Sequence, residues 1–233
     1  MLTNEDIEQI IKECRSIADT GLGNGNRADI PELLVDVVQP PNDFLGVDGN
    51  PAIFINQHTF KLLGHLHSNW IVNQTIALKR ELLNRRTIEI LGVIIHETGH
   101  AFNVAARISN TEANSYIFEI EVMLHLYNTK NPVMKNCSIT ELLAYFDLRL
   151  KYYNKSSKGN DYLLSLIEQV HQFQTEHKAF LPMQKERSFS KPFLQRGCSF
   201  FQSHEHDLVH ECGSFFIDEY ELQPRNPACL QPG

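Results

Sequence analysis

The chain has 233 residues, 42% of them hydrophobic, and a formal charge of −7. That is enough to bury one sizeable core. The acidic balance speaks against a nucleic-acid binder, which needs a basic face for phosphates, and against docking on an anionic membrane.

The segment Met1-Leu2-Thr3-Asn4-Glu5-Asp6 has no basic or apolar stretch, so no secretory signal is expected. The apolar run Leu91 to Ile95 is far too short to span a bilayer. Cys14, Cys137, Cys198, Cys212 and Cys229 are odd in number and lack C-x-x-C spacing. Such a set fits reduced thiols in the cytoplasm or another reducing compartment.

In chain order, residues 4 to 18 carry Ile7, Ile10, Ile11, Cys14, Ile17 and Ala18 at helical spacing, with Thr3 or Asn4 as N-cap. Gly21-Leu-Gly-Asn-Gly-Asn26 ends that helix as a turn. Leu33 to Val38, Pro51 to Asn56 and Trp70 to Leu78 read as strands, and 58 to 66 as a short helix. From about residue 85 the pattern is helical: 86 to 107, 110 to 128, then a helix opened by the capping box Ser138-Ile-Thr-Glu141 and running to about Tyr153. A polar loop over 154 to 160 precedes a fourth helix over 161 to 178. Residues 182 to 203 look irregular, 204 to 221 suggest a last helix, and 224 to 233 a Pro-rich tail. A strand-containing part, about 1–80, followed by a helical part, about 85–223, predicts a single α+β domain over 1–223.

Residues 96 to 100 read His-Glu-Thr-Gly-His. Residues four apart share a helix face, so His96 and His100 can offer two imidazole nitrogens to one ion. Glu97 beside them is placed to take a proton from a water on that ion, which is the mechanics of H-E-x-x-H zinc sites. An accidental match is expected at roughly 0.04 per chain of this composition. Val93-Ile94-Ile95 before it and Ala101-Phe102 after it describe a buried helix, where polar groups without a partner are costly. Gly99 inside the helix costs about 1 kcal/mol against Ala, which suggests either a close approach to the backbone there or packing alone.

Ile94 to Phe102 resembles the zincin metallopeptidases. The chain lacks the Gly and third His of the metzincins after His100, and is instead similar to the gluzincin branch over about residues 86 to 128. That resemblance implies a zincin-like fold, a Zn²⁺ ion, a protein or peptide substrate, and a third ligand from a Glu on the next helix. Glu112 and Glu119 share a helix face; Glu121 points elsewhere. If the first helix runs to Arg107 and the next returns antiparallel, His100 faces Glu119, Asn103 faces Tyr116 and Arg107 faces Glu112. Glu112 also has a capping role open to it in Ser109-Asn-Thr-Glu112. The gap from His100 to Glu119 resembles the aminopeptidase spacing, whereas Thr111 to Phe118 resembles the thermolysin-type ligand helix. Glu119 is the first choice on helix pairing, and Glu112 the second.

A second cluster holds His204, His206, His210 and Cys212. It reads as a solvated helix start, as a second metal site, or as a source of an oxyanion stabiliser, His210 or His206. Tyr145, Tyr152 and Tyr153 are rival electrophiles. The Pro51–Asn56 strand offers an edge for an extended peptide. The motif His96-Glu97-Thr98-Gly99-His100 in a short chain also resembles the effector proteases that intracellular bacteria inject into host cells, which implies a host protein as substrate. The alternative to an enzyme is a non-catalytic binding or regulatory protein that keeps a metal.

Overall fold

A computed structural model describes residues 2–38 and 50–178. All of them fall in the first of two units into which the chain divides, Met1–Glu186 and Arg187–Gly233. The expected last helix, the tail and His204, His206 and His210 lie outside the described residues. Within those residues the fold is α+β, with six α-helices and a three-stranded sheet.

Helix α1 (Asn4–Thr20) buries Ile7, Ile10, Ile11, Cys14 and Ala18. Thr3 and Asp6 close a reciprocal capping box at its start, and Gly21, at φ 108°, ends it. The sheet order is β1 (Leu34–Val38), β3 (Thr75–Lys79), β2 (Ala52–Phe54), with β1 parallel and β2 antiparallel to the central β3. Side chains alternate across a strand. Ile76 and Leu78 therefore join the main core, while Ala77 joins Val38, Ile55 and Trp70 on the other face. The third expected strand is shorter than predicted, because the chain turns before it: Ile71 and Gln74 are joined by a backbone hydrogen bond, and Asn73 takes φ 61°. Helix α2 (Gln57–Leu63) links β2 to that turn.

Helix α3 (Thr87–Ala105) is the centre of the core and packs against α1, β2, α4 (Glu112–Asn128) and α5 (Ile139–Ser156). It stops two residues short of the expected Arg107. Arg107 adopts φ 57°, its N–H donates to the Val104 carbonyl, and the Ile108 N–H donates to the Asn103 carbonyl. These paired bonds form a Schellman closure. A glycine would have announced it in the sequence; an arginine does not. Helix α6 (Asp161–Lys178) packs on α4 and α5. Among the described residues no helix is long and apolar enough to cross a membrane.

Candidate metal centre

His96 and His100 sit on the middle turns of α3, with ring centroids 5.0 Å apart and planes nearly perpendicular. Helix α4 lies unusually close to this stretch. A Cβ on Gly99 would stand 3.1 Å from the Ser115 carbonyl oxygen and 3.1 Å from the Phe118 Cβ. The close backbone approach expected at Gly99 is therefore the approach of α4, and it brings two of that helix's carboxylates to the His96 ring.

The first is Glu112, the opening residue of α4. Its Oε2 is 3.3 Å from His96 Nε2 and its Oε1 is 3.4 Å from His100 Nε2. Its side chain is 35% exposed, so the group opens to solvent. The N-cap of α4 is Thr111, not Ser109, and it accepts from the Asn114 N–H.

The second is Glu119, fully buried. Its Oε2 accepts from His96 Nδ1 at 2.9 Å and from Arg149 Nη2 at 2.6 Å. Its Oε1 accepts from Arg149 Nε at 2.9 Å and from the hydroxyls of Tyr145 and Tyr153, each at 2.6 Å. Five donors exceed the roughly four lone-pair directions of a carboxylate. The structure thus seats Glu112, rather than Glu119, opposite the two Nε2 atoms, which reverses the order expected from helix pairing. With α3 ending at Ala105, the partners slide, by one residue at Asn103, which meets Ser115 at 3.1 Å instead of Tyr116, and by four residues at Glu119, which meets His96 instead of His100.

The same contacts orient both rings. An ionised carboxylate only accepts, so His96 Nδ1 carries the proton it shares with Glu119, and Nε2 turns towards Glu112. His100 Nδ1 likewise donates to Asn110 Oδ1 at 2.8 Å. Burial opposes charge on His96, but Glu112 and Glu119 on its two nitrogens push it up to about 10. Burial would raise Glu112 too, yet His100 and His96 hold it well below the usual carboxylate range. Burial likewise acts to raise Glu119, and the Arg149 guanidinium and His96 bring it down to about 2. The two carboxylates thus favour positive charge on the ring between them.

His96, His100 and Glu112 can place one ligand atom each within 4.8 Å of one another. Ligands at about 2.0–2.1 Å from a tetrahedral zinc stand about 3.3–3.4 Å apart. Each Nε2 has an oxygen of Glu112 at about that spacing, Oε2 for His96 and Oε1 for His100, and both separations are long for charge-assisted hydrogen bonds. The donor set therefore fits a divalent ion.

Glu97 is also buried, on the neighbouring face of α3. Its Oε2 accepts from the backbone N–H of Phe54 at 2.7 Å, and the described residues give its other oxygen no hydrogen bond. On either side of β2, Pro51 and Ile55 bond to Lys79 and Thr75 on the β3 side, which turns the Phe54 N–H the other way, to the carboxylate.

Two of the tyrosines weighed as electrophiles, Tyr145 and Tyr153, instead spend their hydroxyls on Glu119. Burial, with Glu119 adjacent, holds both well above the ordinary phenol range. Sequence reasoning missed Arg149 and Tyr116. Arg149 had a signal, because Tyr145, Arg149 and Tyr153 are spaced four apart and so line one face of α5. Tyr116 lies 5.0 Å from the His96 ring, where burial and Glu112 push its hydroxyl up. Compared with known proteins, the chain matches no protein-family model, no curated protein and no solved structure.

Proposed function

We propose that this chain is a zinc-dependent metallopeptidase of the zincin type, with His96, His100 and Glu112 as the metal-holding residues and Glu97 as the general base. The observation that carries the reading is the convergence of two oriented Nε2 atoms on one solvent-facing carboxylate, beside a second carboxylate with an oxygen to spare. A divalent ion held there supplies Lewis acidity, which acidifies water and polarises a carbonyl. Glu97, tethered through Oε2 to β2, accepts the proton of the attacking water on Oε1 and returns it to the leaving amine. Glu119 takes no part in bonding the ion; it orients His96 from behind. Strand β2 would receive an extended peptide substrate.

The test is metal analysis of the full chain followed by cleavage of a peptide library, with a chelator blocking and zinc restoring turnover. Glu97→Gln should keep its zinc and lose about 10²–10⁴ in kcat. Undiminished turnover in that variant refutes the role of Glu97. Stoichiometric zinc without cleavage of any peptide would make this a non-catalytic, metal-stabilised binding protein.

A further inference from the structure

Arg149 lies on α5, outside the ligand set, yet its hydrogen bonds go to Glu119, the partner of His96, and its Nη2 stands 3.5 Å from His96 Nδ1. Its fork is bidentate on Glu119: Nε on Oε1 and Nη2 on Oε2, at 2.9 and 2.6 Å. Two parallel bonds of this kind fix the plane of a carboxylate as well as its position. The guanidinium is itself held by aromatic faces, with its carbon 5.1 Å from the centre of the Tyr116 ring, 5.6 Å from Tyr152 and 5.7 Å from Tyr153. The Tyr145 and Tyr153 hydroxyls close the remaining directions on Oε1. Oε2 is left with a single further bond, to His96 Nδ1 at 2.9 Å.

We propose that Arg149 is a positioning residue, which acts through Glu119 to hold the His96 ring with Nε2 towards the ion. The inference rests on the metal reading of His96, His100 and Glu112. A buried ion pair that served stability alone would not need a metal-facing imidazole as the carboxylate's last partner. Here the rigid fork on one side of Glu119 becomes ring orientation on the other. Groups behind ligating histidines typically govern metal affinity by about 10–100-fold.

The experiment uses the full chain, with zinc affinity measured by chelator competition and Co²⁺ absorption as the spectroscopic probe of ligand geometry. In Arg149→Met, zinc should bind about 10–100-fold more weakly, with an altered Co²⁺ spectrum. Tyr153→Phe removes one donor from Oε1 without stranding a buried charge. It should weaken zinc in the same direction, by about threefold or more, and it carries the test if Arg149→Met does not fold. A folded Arg149→Met with wild-type affinity and spectrum overturns the proposal and leaves the metal site standing; unchanged affinity in Tyr153→Phe, where the arginine variant is unfolded, overturns it equally. A wild-type chain that binds neither ion overturns the metal reading and this inference with it.

Discussion

The two nitrogens of His96 face carboxylates from the same helix, seven residues apart, in opposite surroundings. On the Nε2 side, Glu112 belongs to the first turn of α4, is partly exposed and meets the two imidazoles at separations suited to an intervening ion. On the Nδ1 side, Glu119 is sealed among α3, α4 and α5, with every lone pair taken. On the proposed reading, residue type does not separate the ligand from the group that orients it. The number of donors already committed to its oxygens does.

The sharpest way to break this comparison is to neutralise each carboxylate in turn. Glu119→Gln breaks a pair whose carboxylate is fully buried, leaves the part-buried Arg149 charge without its partner and should cost about 3 kcal/mol, measured by urea denaturation of the metal-free chain. Glu112→Gln should cost far less stability, yet leave the purified chain without stoichiometric zinc. Equal stability losses would erase the distinction between the two sides. Gly99→Ala tests the close approach that brings both carboxylates in. The added methyl meets the Ser115 carbonyl oxygen at 3.1 Å, so α4 must shift, at a cost of about 1–3 kcal/mol, and zinc should bind more weakly; an unchanged denaturation midpoint would show that α4 has slack there.

The smallest effects belong to the capping boxes, far from His96. Ser138→Ala should lose about 1 kcal/mol. The Ser138 backbone N–H and hydroxyl hold the Glu141 carboxyl below its ordinary range, and Thr3 does the same for Asp6. The unfolded chain binds these protons more readily than the folded one. The contribution is therefore complete above the unfolded carboxyl range and drains away as pH falls through the lower folded values. The gap in urea midpoint between wild type and Glu141→Gln should be present at neutral pH and close in acid; a gap that persists in strong acid would deny the carboxylate this role.

What could be read in the sequence was local. The spacing of Ile7, Ile10, Ile11 and Cys14, the Ser138–Glu141 box and the shared face of His96 and His100 depend only on helical geometry, and each element stands where that geometry puts it. The cost of Gly99 also pointed to a real contact. The expected pairing of His100 with Glu119 is not the one in the structure, because it needed the register of two helices, and a Schellman turn at Arg107, with no glycine to mark it, ends α3 early. The bonds that converge on Glu119 come from residues 23 to 34 positions away, and Glu97 meets Phe54 across 43. No local pattern encodes such pairs.

The tether on Glu97 has a consequence for how the sequence can drift. Its donor is the main chain of Phe54, so exchanging that side chain for another leaves the bond's chemistry intact. Proline alone among the twenty residues would delete it, since proline has no N–H to give. The bond itself is therefore indifferent to the side chain at position 54, and the carboxylate's placement is hostage instead to how firmly β2, with Phe54 buried in the core, stays packed and laced to β3.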